Sequence, residues 1–297
     1  MGRRGRAHDG PDGFAVIDKE PGWTSHDVVA KARGLLGTRK VGHSGTLDPP
    51  ATGVLVLGVG RATRLLRFVT ELPKTYVATM VLGTETTTLD AEGEVTATHD
   101  MAGIDLDAVR AAAAGFVGAI EQIPPMVSAV KIDGRRLHEL AREGVEVERA
   151  PRPVTIHALD VAATDEPATF ELTVSCSSGT YIRTLAADIG AALGGGAHVG
   201  TLRRTAIGSF VETDACPIDA LGPERLLSLA DGLRDRASSV VDDDVAAAVR
   251  NGKVLEQTVL GVEGAGPWAV LDAGGALLAV YEPHRGSTAK PAVVVAP

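Results

Sequence analysis

Apolar and polar positions repeat with two different periods along this chain, and the two periods predict both strands and helices. Residues 170–176 alternate with period two, which places Phe170, Leu172, Val174 and Cys176 on one face of a strand. Spacings of three and four residues predict helices elsewhere. The further predicted strands are 14–18, 54–57 and 76–82, and the predicted helices are 25–36, 61–68, 106–117, 136–142 and 182–189. Because no βαβ unit repeats among these elements, the pattern predicts an α+β fold.

The sequence makes more specific predictions for two of these elements. In residues 76–82 apolar side chains fall on both faces, which predicts a strand that is buried on both sides and ends before Gly83. Ser25 has a hydroxyl of the kind that caps a helix N-terminus, and Gly37 is a common helix stop. We therefore expect the first helix to be capped by Ser25 and to end at Leu36.

The character of the sequence changes near Ser238. An acidic run at 242–244 predicts a short helix that ends at Asn251-Gly252. Three short β-like runs separated by glycine and proline follow, at 268–271, 276–281 and 293–295. These features divide the chain into a flexible basic tail at 1–11, a large unit at 12–237 and a small β-rich module at 238–297.

The composition is that of an ordinary globular protein. Of the 297 residues 44% are apolar and 23% are charged, and no apolar run approaches the ~20 residues that span a bilayer. The basic start of the chain lacks the apolar segment of a signal peptide. Cys176 and Cys216 form neither a disulfide framework nor a metal pattern, and the histidines have no zinc-ligand spacing. We expect a cytoplasmic protein without a membrane segment or a bound metal.

Charge is distributed unevenly. The net charge is −9 for the whole chain but +6 for residues 31–74, which we call the basic window. The cations of the basic window are Lys31, Arg33, Arg39, Lys40, Arg61, Arg64, Arg67 and Lys74. A nucleic acid needs such a positive surface, so the window is a candidate site of approach for RNA. A solvated basic face without a partner would have the same composition.

The segment 42–53, with the sequence GHSGTLDPPATG, is the most informative part of the chain. Its three glycines and two prolines exclude a helix or a central strand, so it is a shaped loop. It contains one carboxylate, Asp48, shortly before the apolar strand at 54–57. Asp48 is also the only acidic residue between Asp27 and Glu71. From the residues alone, Asp48 could cap a turn or serve as a catalytic carboxylate.

The loop closely resembles the GHxGTLDPxATGxL signature of the TruB family, the bacterial tRNA pseudouridine-55 synthases. The resemblance covers roughly residues 12–215, because further blocks follow in the order of the family. These blocks are 74–76, 122–125, 128–131, 134–137 and 179–185. One difference is Val127, which stands where many relatives have a tyrosine before Ser128.

The resemblance implies a fold, an activity and a substrate. The fold is the pseudouridine synthase fold, a mixed and largely antiparallel sheet flanked by helices, followed here by a small PUA-like RNA-binding domain at 238–297. The activity is isomerisation of uridine 55 in the T loop of tRNA to pseudouridine, after the base has been flipped out. The bond change needs no redox step and no group donor, so we expect no cofactor. We also expect a monomer that binds the T stem-loop and requires no protein partner.

The same blocks imply the site residues. The family's nucleophilic aspartate corresponds to Asp48, the arginine that pairs with it to Arg183, and the aromatic residue that stacks on the flipped base to Tyr76. His43 corresponds to the histidine that takes the place of the flipped base in the stem-loop stack. The remaining substrate-binding positions implied by the resemblance are Lys74, Tyr181 and Leu202.

Alternatives remain at this point. A guide-RNA-dependent pseudouridine synthase of the archaeal and eukaryotic branch would share the same motifs, and an RNA-binding or tRNA-folding module could keep the fold without the chemistry. The C-terminal module could bind RNA or act as a structural cap. Cysteine attacks uridine in some other modifying enzymes, but Cys176 falls on the apolar face of its strand, so we interpret it as a core residue.

Overall fold

The structure is a computed structural model that describes residues 10–126, 131–132, 135–136, 145 and 147–295. Val127 and most of the blocks at 128–131 and 134–137 therefore lie outside the described residues. The helix predicted at 136–142 does not begin at Arg136, which belongs to a two-residue strand, and its other residues are not described. The described helices are α1 (Ser25–Leu35), α2 (Leu66–Thr70), α3 (Leu106–Ala114), α4 (Ile182–Ala192), α5 (Asp243–Arg250) and α6 (Gln257–Leu260).

A large mixed sheet forms the centre of the molecule. The described strands are β1 (Gly13–Lys19), β2 (Val41–His43), β3 (Thr52–Val59), β4 (Lys74–Leu82), β5 (Thr84–Thr86), β6 (Val95–Thr98), β7 (Gly118–Gln122), β8 (Lys131–Ile132), β9 (Arg135–Arg136), β10 (Arg152–Ala163), β11 (Thr169–Cys176), β12 (Ala197–Ile207), β13 (Phe210–Val211), β14 (Cys216–Pro217), β15 (Ser238–Val240), β16 (Leu255–Glu256), β17 (Trp268–Leu271), β18 (Leu277–Pro283) and β19 (Thr288–Val294). Ten of them form one sheet in the order β14-β1-β3-β12-β4-β11-β10-β7, with β2 beside β3 and β13 beside β12.

The directions of the strands confirm the predicted fold class. Within the described part of the chain, β1 pairs with β14 and β3 with β12 in parallel, and the other neighbours in this sheet are antiparallel. The fold is therefore α+β with a mixed, largely antiparallel sheet. Strands β3, β12 and β4 lie side by side at its centre, and α4 packs against β12. None of the described helices has the length and apolar character needed to cross a membrane.

The start of α1 differs from the prediction. Thr24, and not Ser25, caps the helix: its hydroxyl accepts a hydrogen bond from the Asp27 N–H at 3.0 Å, and the Asp27 carboxylate accepts one from the Thr24 N–H at 2.9 Å. The Ser25 hydroxyl is buried and instead accepts from the Leu47 N–H at 2.9 Å. A tertiary contact with the Asp48 loop thus occupies the side chain that the local pattern assigns to the cap.

Two other predicted elements need correction. Strand β4 is fully buried on one face only, because its side chains alternate between buried and half-exposed from Lys74 to Leu82. The predicted helix at 61–68 is two pieces, a 3-10 helix at Gly60–Arg64 followed by α2. The strand at 170–176 is confirmed, since its four apolar side chains on one face are all buried.

The C-terminal residues form a second, separate sheet. Strands β15 to β19 pair in the order β15-β17-β18-β19-β16, with α5 packed against β18. The short helix predicted after the acidic run is confirmed as α5, capped by Asp242, and the three predicted β-runs correspond to β17, β18 and β19. We call residues 238–295 the C-terminal module.

Candidate active site

The Asp48 loop connects β2 to β3 at the centre of the large sheet. The Ser44 N–H donates to the Val56 carbonyl at 3.0 Å where the loop leaves β2. The Ala51 N–H donates to the Asp48 carbonyl at 3.1 Å, which closes a tight turn through the two prolines. Asp48 is therefore the first residue of a rigid turn that leads directly into β3.

Two buried cations hold this loop against the sheet. Lys19, which ends β1, donates from Nζ to the Pro49 carbonyl at 3.1 Å. Arg204 on β12 donates to the Val54 carbonyl at 2.8 Å and to the Gly45 carbonyl at 3.1 Å. Both cations are only 1% exposed. A buried charge is costly unless it is hydrogen-bonded, so these bonds to backbone carbonyls tie the loop to the sheet.

Gly53 permits this arrangement. Its φ of +99° is strained for other residues, and a Cβ at this position would lie 2.2 Å from the Arg204 carbonyl oxygen. Gly53 is also the residue of β3 that pairs with Arg204 on β12. Only glycine lets the two strands approach closely enough for the Arg204 side chain to reach the Asp48 loop.

Arg183 contacts Asp48 directly. Its Nη2 lies 2.9 Å from Asp48 Oδ2, and its Nη1 lies 3.3 Å from Asp90 Oδ2 and donates to the Thr88 carbonyl at 2.8 Å. The side chain of Arg183 is 5% exposed, whereas that of Asp48 is 34% exposed. The guanidinium is thus held between two carboxylates, of which Asp48 is the more exposed.

Gln122 fixes the start of the helix that carries Arg183. Its amide Nε2 donates to the Tyr181 carbonyl at 3.2 Å, and its Oε1 accepts from the Tyr181 N–H at 2.9 Å. Tyr181 immediately precedes α4, in which Arg183 is the second residue. The buried amide of Gln122 therefore sets the position from which Arg183 reaches Asp48.

Most of the predicted site residues meet in one pocket of about 270 Å³. Six of the seven line it, and they are Asp48, Lys74, Tyr76, Tyr181, Arg183 and Leu202. A second cavity of about 390 Å³ shares Asp48, Arg183 and Leu202 with the first and is also lined by Asp90. The Asp48–Arg183 pair thus lies between two adjoining cavities, and the larger of the two has a size found for small-ligand sites.

Tyr76 and Lys74 form one wall of the pocket from β4. Tyr76 lies opposite Arg204 in the β4–β12 pairing, and burial raises the pKa of its hydroxyl, so the ring presents a neutral phenol. Lys74 donates from Nζ to the carbonyls of Thr70 and Leu72. Burial lowers the pKa of Lys74 to about 8. Its ammonium group is thus bound to backbone within the wall.

His43 does not line the pocket. It ends β2, where its ring meets that of His26 edge to face with 5.4 Å between the ring centroids. Burial, together with the neighbouring His26 and Arg204, lowers the pKa of His43 to about 4. The ring is therefore neutral at physiological pH and accepts a hydrogen bond from the Gly45 N–H at 3.3 Å.

Burial also raises the pKa of Asp48 above the ordinary value of an aspartate. The positive charge of Arg183 opposes this rise, and so does the more distant Lys19. The negative charge of Asp90 acts in the other direction and raises the pKa further. Asp48 is consequently a carboxylate that is partly desolvated but still paired, as a reactive carboxylate requires.

The sequence patterns did not reveal Lys19, Asp90 or Arg204. Lys19 follows Asp18 at the end of β1, Arg204 follows Arg203 in β12, and Asp90 lies in an acidic and threonine-rich connection. No spacing rule singles out such positions. Their importance comes from burial, because a buried charge must find hydrogen-bonding partners.

The structure corrects the interpretation of the basic window as one free positive surface. Six of its eight cations bind groups of this chain, and they are Lys31, Arg33, Arg61, Arg64, Arg67 and Lys74. Arg39 and Lys40 are exposed after α1, and the side chain of neither forms an ion pair or a hydrogen bond with another described residue. Fewer of these side chains are therefore free to bind a polyanion than the sequence predicts.

The described residues include no group of three or more His, Cys, Asp or Glu side chains that could hold a metal ion. Both cysteines are buried and unbonded to each other. Burial raises the pKa of Cys176 to about 11, so its thiol stays protonated in the core of the sheet.

Comparison with known proteins shows the family to which this chain belongs. A model of the "TruB family pseudouridylate synthase (N terminal domain)" matches residues 33–182, and one of the "tRNA pseudouridylate synthase B C-terminal domain" matches residues 183–265. The protein named tRNA pseudouridine synthase B of Rhodococcus jostii (strain RHA1) is 47% identical over 96% of this chain and 94% of its own length. The protein of the same name from Listeria monocytogenes serotype 4b (strain F2365) is 42% identical over 92% of this chain and 94% of its own length.

A solved structure agrees with these relatives. A chain in the crystal structure of a Cbf5-Nop10-Gar1 complex superimposes with a TM-score of 0.75 at 26% identity, covering 96% of this chain and 85% of that chain. The fold and the full-length similarity lead to the same conclusion. This chain belongs to the TruB family of pseudouridylate synthases, which are isomerases.

Proposed function

We propose that this enzyme converts uridine 55 in the T loop of tRNA to pseudouridine, with Asp48 as the nucleophile and without a cofactor. The observation that carries the proposal is the 2.9 Å contact between Arg183 and the partly open Asp48 carboxylate in a pocket of about 270 Å³. Relatives that match up to 100% of this chain carry the name tRNA pseudouridine synthase B, and this name supports tRNA as the substrate.

The chemistry makes specific demands on the pocket. The C1′–N1 bond must break, the freed uracil must turn, and a C1′–C5 bond must form, while a proton leaves C5 and N1 gains one. A carboxylate that attacks the ribose or the base, or removes the C2′ proton, can start this sequence. Asp48 would take that role, Arg183 would keep it ionised and oriented, and Tyr76 would provide the aromatic surface for the base.

The other predicted residues would bind the RNA around the flipped uridine. Tyr181 and Leu202 would enclose the base from α4 and β12, and Lys74 would shape the wall below it. His43 would occupy the gap left in the stem-loop, a role that suits its neutral ring outside the pocket. We further propose that a single copy of the chain acts in the cytoplasm without a protein partner. Its two units would be 12–237 and 238–297, a division that the separate C-terminal sheet supports.

Purified chain alone, incubated with a T-stem-loop RNA in the presence of EDTA, tests this proposal. We expect many turnovers per enzyme and pseudouridine at the position of uridine 55. The same stem-loop with cytidine at that position is the control, and it should remain unmodified. Absence of product from the uridine-containing RNA, or product at a different uridine, contradicts the proposal.

Two rival functions are distinguished by the same assay. The similarity to a chain of a Cbf5-Nop10-Gar1 complex makes a guide-RNA-dependent synthase the first rival, and that enzyme would need added guide RNA or proteins. An RNA-binding or tRNA-folding module would bind the stem-loop without turnover. Multiple turnover of a bare stem-loop excludes both rivals as the sole activity.

The pH dependence of the rate should reveal the environment of Asp48. Because the attacking group must be ionised and burial raises its pKa, the rate should fall as the pH drops through a pKa above the ordinary ~3.9 of aspartate. Asp90→Asn removes a negative charge near Asp48. It also means that Arg183 no longer shares its positive charge with a second carboxylate, and both effects favour the ionised form of Asp48. The acid limb of the single-turnover rate should therefore move to lower pH in this variant.

The exposed Asp107 provides the matched control, since its side chain is 93% exposed. Asp107→Asn should leave the acid limb where it is in the wild type. An unchanged or higher apparent pKa in Asp90→Asn would show that Asp90 does not act on Asp48 as the geometry indicates.

A further inference from the structure

Leu89 has a backbone conformation that leucine rarely adopts. Its φ is +62°, in the left-handed region, and it lies in the connection between β5 and β6. A residue with a branched side chain is strained there and keeps this conformation only where the surrounding structure enforces it. In the described part of the chain Ala168 is the one other non-glycine residue with a positive φ. The bonds around Leu89 should therefore explain why the chain accepts the strain.

The side chain of Leu89 does not account for this conformation. It is partly exposed and belongs to none of the apolar clusters that the described residues form. Its backbone, in contrast, is bonded at both ends. The Leu89 N–H donates to the Thr86 carbonyl at 3.2 Å, and the Leu89 carbonyl accepts from the Val199 N–H on β12 at 3.0 Å. The structure thus uses the backbone of Leu89 and not its side chain.

Further bonds fasten the same turn around Asp90. The Ala91 N–H donates to the Val199 carbonyl at 3.0 Å, so that bonds to Val199 flank Asp90 on both sides. The buried Thr86 hydroxyl donates to the Asp90 carbonyl at 2.7 Å, and the Glu92 N–H donates to Asp90 Oδ1 at 3.1 Å. The position of the Asp90 carboxylate is therefore set by the path of the backbone through this turn.

The turn offers two acceptors to one nitrogen of Arg183. Nη1 donates to the Thr88 carbonyl at 2.8 Å and lies 3.3 Å from Asp90 Oδ2. These two acceptors come from the residues directly before and after Leu89, and a positive φ between them turns the chain sharply enough for both to face the same guanidinium. The other nitrogen, Nη2, lies 2.9 Å from Asp48. The conformation of Leu89 thus bears on how Arg183 meets Asp48.

We propose that Leu89 is a positioning residue for the reaction. Its left-handed backbone sets the Thr88 carbonyl and the Asp90 carboxylate against Arg183, and Arg183 is thereby held in the orientation in which it pairs with Asp48. Leu89 itself lines neither of the two cavities. The inference rests on the proposed function of the pocket, because it concerns the rate of that reaction.

Two substitutions separate a backbone role from a side-chain role. Leu89→Val keeps an apolar side chain, but a β-branched residue is strongly disfavoured at a positive φ. Leu89→Asn loses the apolar side chain, but asparagine is among the non-glycine residues that adopt the left-handed conformation most readily. The two roles therefore predict opposite orders of activity. Each full-length protein is measured for its Kd for the T-stem-loop RNA and for its single-turnover rate at saturating enzyme.

We expect Leu89→Val to lower the saturated rate about tenfold, since the strained turn shifts and Arg183 loses its orientation. Its Kd should stay within about twofold of the wild-type value, because Leu89 does not line the pocket. Leu89→Asn should keep the saturated rate within about twofold of the wild type. Hydrogen exchange of the Ala91 and Val199 amides should be faster in Leu89→Val and close to the wild-type rate in Leu89→Asn.

Ala168→Val is the matched control, because it places the same β-branched side chain at a positive φ in the connection between β10 and β11. It should lower the melting temperature, as Leu89→Val does, and leave the saturated rate unchanged. A loss of rate in Ala168→Val as large as that in Leu89→Val would show that general destabilisation is the cause, which contradicts the proposal.

A double substitution tests whether Leu89 acts through Asp90. In an Asp90→Asn background the charged acceptor is already gone, so Leu89→Val should lower the saturated rate by less than about threefold. The same tenfold loss in both backgrounds would mean that the two residues act independently, and the proposed route through Asp90 would be wrong.

Other results would also overturn the proposal. A lower saturated rate in Leu89→Asn than in Leu89→Val would show that the reaction needs the apolar side chain, and a weaker Kd with an unchanged saturated rate would make Leu89 an RNA contact. If Leu89→Val does not fold, Leu89→Asn decides, since a large loss of rate there contradicts positioning by the backbone and a retained rate supports it. If the wild type forms no pseudouridine, the proposed function fails, and hydrogen exchange alone decides. Unchanged exchange at Ala91 and Val199 in Leu89→Val then contradicts the role of Leu89 in the turn.

Discussion

Asp48→Asn should lower the single-turnover rate of pseudouridine formation by more than about a thousandfold, because an amide cannot act as the nucleophile. The substitution keeps the shape of the side chain, so the turn from Asp48 to Ala51 should persist. RNA affinity should stay within about tenfold, or about 1.4 kcal/mol, since removing an anion near phosphates does not weaken their binding. Pseudouridine mapping and equilibrium binding of the T stem-loop measure the two quantities.

Asp107→Asn is the matched control for this variant. It makes the same chemical change at a side chain that is 93% exposed on α3, and its rate should equal that of the wild type. Turnover by Asp48→Asn at more than a few per cent of the wild-type rate would contradict the assignment of Asp48 as the nucleophile.

Arg183→Lys should lower the rate about a hundredfold although it keeps the positive charge. The planar guanidinium contacts Asp48, Asp90 and the Thr88 carbonyl at once, and a lysine ammonium cannot reproduce that fork from the same backbone position. With less compensation from the cation, the pKa of Asp48 should rise further. The acid limb of the pH–rate profile should then move to higher pH, opposite to the shift expected for Asp90→Asn.

Arg110→Lys is the corresponding control, because Arg110 lies on α3 with a side chain that is 53% exposed. This variant should retain the wild-type rate and pH profile. A near-normal rate in Arg183→Lys, with the acid limb unmoved, would mean that Arg183 is not the ionic partner that Asp48 needs.

The residues of the candidate site could be predicted from the sequence where they belong to blocks that follow one another in the order of the TruB family. Asp48 is singled out by its loop and Arg183 by its block, and the structure brings them into contact at 2.9 Å. Tyr76, Tyr181 and Leu202 were carried over in the same way, and they line the same pocket. Their catalytic and binding roles remain predictions until the variants are measured.

The supporting residues could not be predicted, because their importance comes from burial. Lys19 and Arg204 carry no motif, yet each is buried beneath the Asp48 loop with its charge bound to backbone carbonyls. Similarly, the sequence shows Arg61, Arg64 and Arg67 as free cations near the loop. Each of them also has a partner on β18 or at the end of β19, more than two hundred residues further along the chain.

By itself, the sequence determined the strand at 170–176, the short helix after the acidic run at 242–244, the α+β class and the loop that contains Asp48, because these depend on neighbouring residues. The tertiary structure alone decided that Ser25 binds Leu47 while Thr24 caps α1, that β4 is fully buried on one face only, and that Arg64 and Arg67 bind the C-terminal module. The physical reason is the same in each case. Hydrogen bonds and burial are shared among segments that are distant in sequence, and local propensity yields to them when the segments pack together.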